Sequence, residues 1–152
     1  MHPSVAKLWT SYRGIDPAAP VAVPDSFHFC DNQEDADLCA TLVVAGRKRA
    51  TAASVAELKM GGDPIPNVGD YGIVTDWAGR ARAVIRTTSV QIRRFGDVDE
   101  DFALTEGEGD LTLEWWRATH REYYGRVLAE TSYPVNDDLE IVCEEFELVM
   151  TD

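Results

Sequence analysis

The sequence predicts an α+β fold, a small curved sheet or barrel flanked by helices. Three observations lead there. Runs with strand-like alternation, at 71–76 and 81–95, are mixed with unevenly placed helical segments. The chain has 152 residues, enough for one proper core. Its composition, 45% hydrophobic and 27% charged, is that of an ordinary globular protein.

Taken in order, residues 1–24 read as an N-terminal helix followed by an extended connector, Asp16-Pro17-Ala18-Ala19-Pro20. Residues 25–152 read as the main domain. Phe27 and Phe29 mark a short strand. Asp31 or Asn32 caps a helix that ends at Gly46, with Ala36, Leu38, Leu42 and Val43 on its apolar side. Ser54 and Glu57 have capping-box spacing for a short helix through Met60, which the Gly61-Gly62-Asp63-Pro64 run ends.

Residues 71–76 and 81–95 form strands joined by Trp77-Ala78-Gly79. A short helix covers 98–104. Asp110 stands where a helix cap belongs, and the next helix runs to about residue 130. Leu113, Trp116, His120, Tyr123 and Val127 share one face of it. Residues 139–150 close the chain as a strand, with Ile141, Cys143, Phe146 and Leu148 partly alternating.

Several function classes fall away on composition. No apolar run approaches the ~20 residues needed to span a bilayer. Met1 to Lys7 lacks the basic-then-apolar layout of a signal peptide, so the expected location is cytoplasmic. Cys30, Cys39 and Cys143 are odd in number and widely spaced, which suits reduced, buried thiols. Net charge is −13. It is uneven: −4 over residues 1–45, +5 over 46–94 and −14 over 95–152. An acidic chain is a poor coat for nucleic acid, whose binding depends on phosphate neutralisation. A basic cleft for a small nucleotide ligand, if present, belongs to the middle third.

Two segments concentrate groups that carry chemistry. Arg47-Lys48-Arg49 follows the helix end, and Lys48 lies three residues before Thr51. Cations at a helix C-terminus are ordinary. A lysine beside a hydroxyl can also act as the base that activates it, provided the lysine is desolvated. The second segment is Glu106-Gly107-Glu108-Gly109-Asp110, followed by a helix with Trp116, Arg117 and His120. One of these carboxylates could pair with Lys48 or Arg117 while another does acid–base work or binds a divalent cation. His120 falls on an apolar face, where a satisfied core histidine is common. Of Trp115 and Trp116, one belongs to the core and the other can offer a stacking surface to a base.

Together these residues resemble a family. Phe29-Cys30-Asp31, Ala36-Asp37-Leu38, Gly46-x-Lys48-x-Ala50-Thr51, Gly69-Asp70-Tyr71, Phe102-Ala103, the Glu-Gly-Glu-Gly-Asp run and Trp116-Arg117-x-x-His120 are similar to the ASCH domain pattern over roughly residues 25–150. The resemblance implies a PUA-like β-barrel with flanking helices and a cleft beside the barrel. It implies association with RNA, and in small members removal of an acyl group from N4-acetylcytidine by a Lys, a Thr and a Glu. Other members resemble ribonucleases that need a divalent metal.

Carried over by position, Lys48, Thr51 and Glu108 are the expected catalytic residues. Arg47, Arg49, Glu106, Trp116, Arg117 and His120 are the expected substrate-binding residues. The expected ligand is a nucleoside or short single-stranded RNA, with no cofactor for amide hydrolysis. A non-catalytic RNA-binding module is the alternative. A metal-dependent ribonuclease using Glu106, Glu108 and Asp110 is a further one. The chain departs from the pattern at Cys30, where glycine is usual, at Arg49, where threonine is common, and at Ala52-Ala53, where a serine is often found.

Overall fold

The computed structural model describes residues 1–152. Helix α1 (Pro3–Ile15) opens the chain. It begins with proline at its first position, where a missing N–H costs nothing. Strand β1 (Ser26–Phe27) and helix α2 (Gln33–Val44) follow, then β2 (Ala50–Ser54) and α3 (Val55–Gly61). Strands β3 (Tyr71–Thr75) and β4 (Ala81–Arg94) come next, then a 3-10 turn at Phe95–Asp97. Helices α4 (Glu100–Glu106) and α5 (Leu113–Val127) precede the final strand β5 (Glu140–Thr151).

The strands form one mixed sheet in the order β1-β3-β4-β5-β2. Only β1 and β3 run parallel. The long strands β4 and β5 are its spine, paired from Ala83 opposite Thr151 to Arg94 opposite Glu140. Irregularities between Val84 and Ile85 and between Thr87 and Ser89 bend this ladder.

The expected barrel does not close. Its edges would be β1 and β2, and these do not pair. The reason is local. β1 lasts only two residues, and the chain then turns away through Cys30, a non-glycine residue at φ 65°. The seam left between the two edges becomes the pocket described below.

Three apolar clusters hold the helices to the sheet. Val5, Leu8, Trp9 and Tyr12 repeat at helical spacing and pack α1 on Ile73, Ala81 and Val84. Cys39, Ala40 and Val43 pack α2 on Val74, Ala83, Ile85 and Phe146 from the opposite face. The alternation of Ile73 with Val74 and of Val84 with Ala83 sends neighbours to opposite faces, as strand geometry requires. The largest cluster joins α4 and α5 to β2 and β5 through Phe95, Phe102, Trp116, Tyr124 and Ile141.

The caps explain where helices begin. The Asn32 side chain accepts from Asp35 N, and Ser54 and Glu57 form the full capping box. Two expectations need correction. Thr112, not Asp110, caps α5, and the Asp110 carboxylate instead accepts from the Thr112 N–H and hydroxyl. Leu38 is 54% exposed and faces the pocket, while Cys39 takes the inward position.

Candidate functional site

Lys48 lies on the extended link between α2 and β2. Gly46, at φ 74°, turns the chain out of the helix. Arg49 is pinned on both sides: its N–H donates to Thr105 O, and Phe146 N–H donates to its carbonyl. In an extended segment successive side chains point to opposite sides. Arg47 and Arg49 are therefore exposed, and Lys48 between them is buried at 2%.

The glycine-rich loop reaches Lys48 from the other direction. Gly107 has φ 73°, and a Cβ on it would stand 2.1 Å from Arg47 O. Only glycine allows this approach. It sets Glu106, the last residue of α4, and Glu108, the first beyond Gly107, around one ammonium group. Lys48 Nζ is 3.0 Å from Glu108 Oε2 and 3.5 Å from Glu106 Oε1. It also donates to Ala50 O at 2.8 Å and lies 4.7 Å from the centre of the Phe29 ring.

The two carboxylates live in different surroundings. Glu106 is buried and fully engaged. Its Oε2 accepts from the Trp116 indole N–H, and its Oε1 is 3.0 Å from His120 Nε2. His120 Nδ1 is 2.8 Å from Trp116 O, which can only accept a hydrogen bond. Both ring nitrogens thus face acceptors, and the imidazolium form satisfies both. Burial opposes that charge, but the Glu106 charge and hydrogen bond raise the His120 pKa above its ordinary value. Burial likewise pushes the Glu106 pKa up, and the charges of His120 and Lys48 more than reverse it, so Glu106 stays ionised.

Glu108 keeps some contact with solvent, its side chain 17% exposed. Burial raises its pKa, Lys48 pulls it back and the Glu106 charge raises it again, for a net upward shift. Its Oε1 accepts from Cys39 Sγ at 3.1 Å. Burial disfavours the Lys48 charge, but the two carboxylates outweigh it and raise its pKa. Lys48 is therefore cationic at neutral pH. Two carboxylates driven apart in pKa are the usual mark of divided acid–base roles.

These groups form the floor of a pocket of about 490 Å³ in the seam of the sheet. Phe27 and Phe29 line one wall, and Thr51 and Ala53 of β2 line the other. A volume of ~300–1,000 Å³ is usual for small-ligand sites. Trp115 adds an aromatic surface over Gly109, where any Cβ would strike the indole within 2.2 Å. Arg126 of α5 pairs with Asp31 at 3.2 Å and ties this helix to the loop before α2. A second concavity, about 370 Å³, lies between α3 and residues 133–140, away from these groups.

Of the expected residues, Lys48, Thr51, Glu106, Glu108 and His120 all line this pocket. Lys48 bonds Ala50 O and Glu108 rather than Thr51. The other expected binding residues lie elsewhere. Trp116 is 1% exposed, stacked between His120 and Phe95. Arg117 donates to Gly96 O and Val98 O, and Arg47 and Arg49 point outward. The pocket is not a basic cleft: Asp31, Asp35, Glu57, Glu106, Glu108 and Glu144 line it against Lys48, Arg126, His28 and His120. Two of the three carboxylates expected for a ribonuclease-type cation site, Glu106 and Asp110, are engaged elsewhere. Glu106 is saturated by Trp116, His120 and Lys48, and Asp110 is turned to Thr112.

Sequence reasoning missed Cys39 and Glu144 as pocket residues, and of the two tryptophans it offered for stacking it assigned Trp116 where Trp115 lines the pocket. Glu144 faces Thr51 across the β2–β5 ladder and accepts from Thr87 Oγ1 at 2.7 Å. Register of this kind leaves no local signal.

Comparison with known proteins bears on this geometry. The sequence matches the ASCH domain over residues 25–150. The chain belongs to the ASCH family. Two solved structures are similar. One is an ASCH domain from Lactobacillus crispatus JV V101, 30% identical, with TM-score 0.86 over 97% of this chain and 95% of that one. The other is protein EF3133 from Enterococcus faecalis V583, 33% identical, with TM-score 0.87 over 98% of this chain and 90% of that one. No match was found among curated proteins. The fold of this ASCH protein is thus α+β and PUA-like, with an open five-stranded sheet. ASCH domains are associated with RNA binding. No helix is long and apolar enough to cross a membrane.

Proposed function

We propose that this ASCH protein binds a nucleoside in the seam pocket and hydrolyses an exocyclic amide on its base, as in N4-acetylcytidine. The observation that carries the reading is the Lys48–Glu108 pair, 3.0 Å apart on the pocket floor with Glu106 behind it. The ordering of roles differs from a lysine-base scheme. Lys48 is already protonated, so it cannot accept a proton. Its charge instead suits an amide oxygen that becomes negative as the carbonyl is attacked. Glu108, raised in pKa and in reach of solvent, is the base. In this scheme the Thr51 hydroxyl attacks the carbonyl carbon and Glu108 takes its proton. Glu108 then gives that proton to the leaving amine as the C–N bond breaks. Water releases the acyl group from Thr51.

The acidic lining favours a neutral nucleoside over a phosphorylated one, since phosphate oxygens would meet carboxylates. Incubation with N4-acetylcytidine tests the reading by release of cytidine. Lys48→Ala, Thr51→Ala and Glu108→Gln are each expected to lose turnover. If the wild type turns over no faster than Lys48→Ala, the hydrolase reading ends.

Family association favours a second reading, a non-catalytic RNA-binding module. Arg47 and Arg49, exposed on either side of Lys48, are the groups it would use. It requires RNA affinity that falls with salt and with an Arg47→Glu/Arg49→Glu pair, and that survives Thr51→Ala. Undetectable RNA binding at low salt ends it.

A further inference from the structure

Cys30 and Cys39 have no role in the chemistry above. Their sulfurs are 3.6 Å apart, and both thiols are free. Cys39 Sγ is 3.1 Å from Glu108 Oε1, and the three donor atoms all lie within 4.8 Å of one another. All three residues line the pocket. We propose that Cys30, Cys39 and Glu108 form a binding site for a soft divalent cation of the zinc class.

The donor set selects the ion. Two thiolates and a carboxylate suit zinc and disfavour magnesium or calcium, which take oxygen ligands. The spacing also fits. Tetrahedral zinc with Zn–S of about 2.3 Å and Zn–O of about 2.1 Å places its sulfurs ~3.8 Å apart and sulfur to oxygen ~3.6 Å. The sulfur–sulfur separation of 3.6 Å is within tenths of an ångström of this, the Cys39–Glu108 pair at 3.1 Å must open by about half an ångström, and Cys30 lies within 4.8 Å of the carboxylate. With three protein ligands, the fourth position is left for water or a pocket ligand, the pattern of an open site.

Lys48 complements the arrangement. It holds Glu108 through Oε2, leaving Oε1 for the ion, and orients the carboxylate as an outer partner does. A divalent ion with two thiolates and a carboxylate carries one net negative charge, which the ammonium balances. Binding releases the two thiol protons to solvent. A second trio, Glu106, Glu108 and His120, has similar spacing. It is a poor competitor, because a metal there must break the His120–Glu106 bond and disturb the Trp116–Glu106 bond.

Cobalt titration of the full-length, metal-free protein, kept reduced by a phosphine, tests the site. One equivalent is expected to give thiolate-to-cobalt charge-transfer absorption and intense visible bands of a tetrahedral ion. Zinc added afterwards should bleach them. Cys39→Ser and Glu108→Gln should weaken binding by at least about tenfold. Because Cys39 is buried, the deciding variant is Cys30→Gly. Glycine suits the φ of 65° at this position, so the variant keeps the fold while removing one sulfur. No charge-transfer band in the wild type with excess cobalt overturns the proposal, as does an unchanged band in Cys30→Gly. The readout is absorption and not turnover, so failure of the hydrolase reading leaves it intact.

Discussion

Gly107 and the Arg47 carbonyl are in such close approach that a Cβ on Gly107 would sit 2.1 Å from that oxygen. This contact joins the two segments that carry the site. It places Glu106 and Glu108 on Lys48, although Lys48 and Glu108 are 60 positions apart. The turn at Arg47 and the loop at Gly107 are in this sense one structural unit.

Gly107→Ala should therefore be costly. The added methyl meets backbone on both Arg47 and Lys48, and φ 73° adds strain for any L side chain. A loss of about 2–4 kcal/mol is expected, read from urea unfolding. Gly46→Ala is the control. It has a similar φ of 74° but no atom within 4 Å of the new Cβ. Its cost should be only about 1 kcal/mol, since strain alone remains. Equal losses in the two variants would refute the close-approach account.

Lys48→Met should destabilise the protein by about 3–5 kcal/mol, since it leaves two carboxylates without their shared cation. Adding Glu108→Gln should recover part of that loss, because it removes one of the stranded charges. The check is a double-mutant cycle by chemical denaturation. Additive effects would show that the 3.0 Å pair is energetically silent.

The Glu106–His120 pair gives a window in pH. Glu106 has a lowered pKa in the fold, so its contribution is present above the ordinary value of 4.5 and fades as pH falls through the folded value. His120 has a raised pKa, so its contribution is full below 6.5 and fades as pH rises through the folded value. Both act together between 4.5 and 6.5. The stability difference between wild type and His120→Phe should peak in that window and shrink on either side. A difference that is flat from acid to alkaline pH would mean that His120 is neutral.

Local signals were legible in the chain, and non-local ones were not. The Ser54–Glu57 box stands where the sequence placed it, and of Asp31 and Asn32, which the sequence left open, Asn32 is the cap. The helix after Gly109 was legible as an element with its buried face, which carries Trp116 and His120, but which tryptophan borders the pocket was not. One residue on a helix is ~100° of rotation. That rotation separates Trp115 at the pocket from Trp116 in the core. The Lys-Arg run was legible as charge, yet which cation turns inward depends on how Arg49 is pinned between α4 and β5. The barrel failed to close because β1 ends after Phe27, and no local pattern there marked the stop. Cys39 looked like an ordinary core thiol, since its partner Glu108 lies 69 positions away.

The two tryptophans give the sharpest separation of site from scaffold. Trp116 is stacked on His120 at 4.1 Å between centroids, and its N–H holds Glu106. Trp116→Ala should cost about 3–5 kcal/mol, as loss of a buried aromatic does, and it should unseat the carboxylate network as well. Trp115 instead covers Gly109 at the pocket wall and is only half-buried. Trp115→Ala should change the unfolding midpoint little while weakening nucleoside affinity by about tenfold, the loss of one stacking surface. Titration with cytidine separates the two effects, followed by intrinsic fluorescence in the wild type and by calorimetry in the variant. If Trp115→Ala binds as the wild type does, the ligand does not lie against α5.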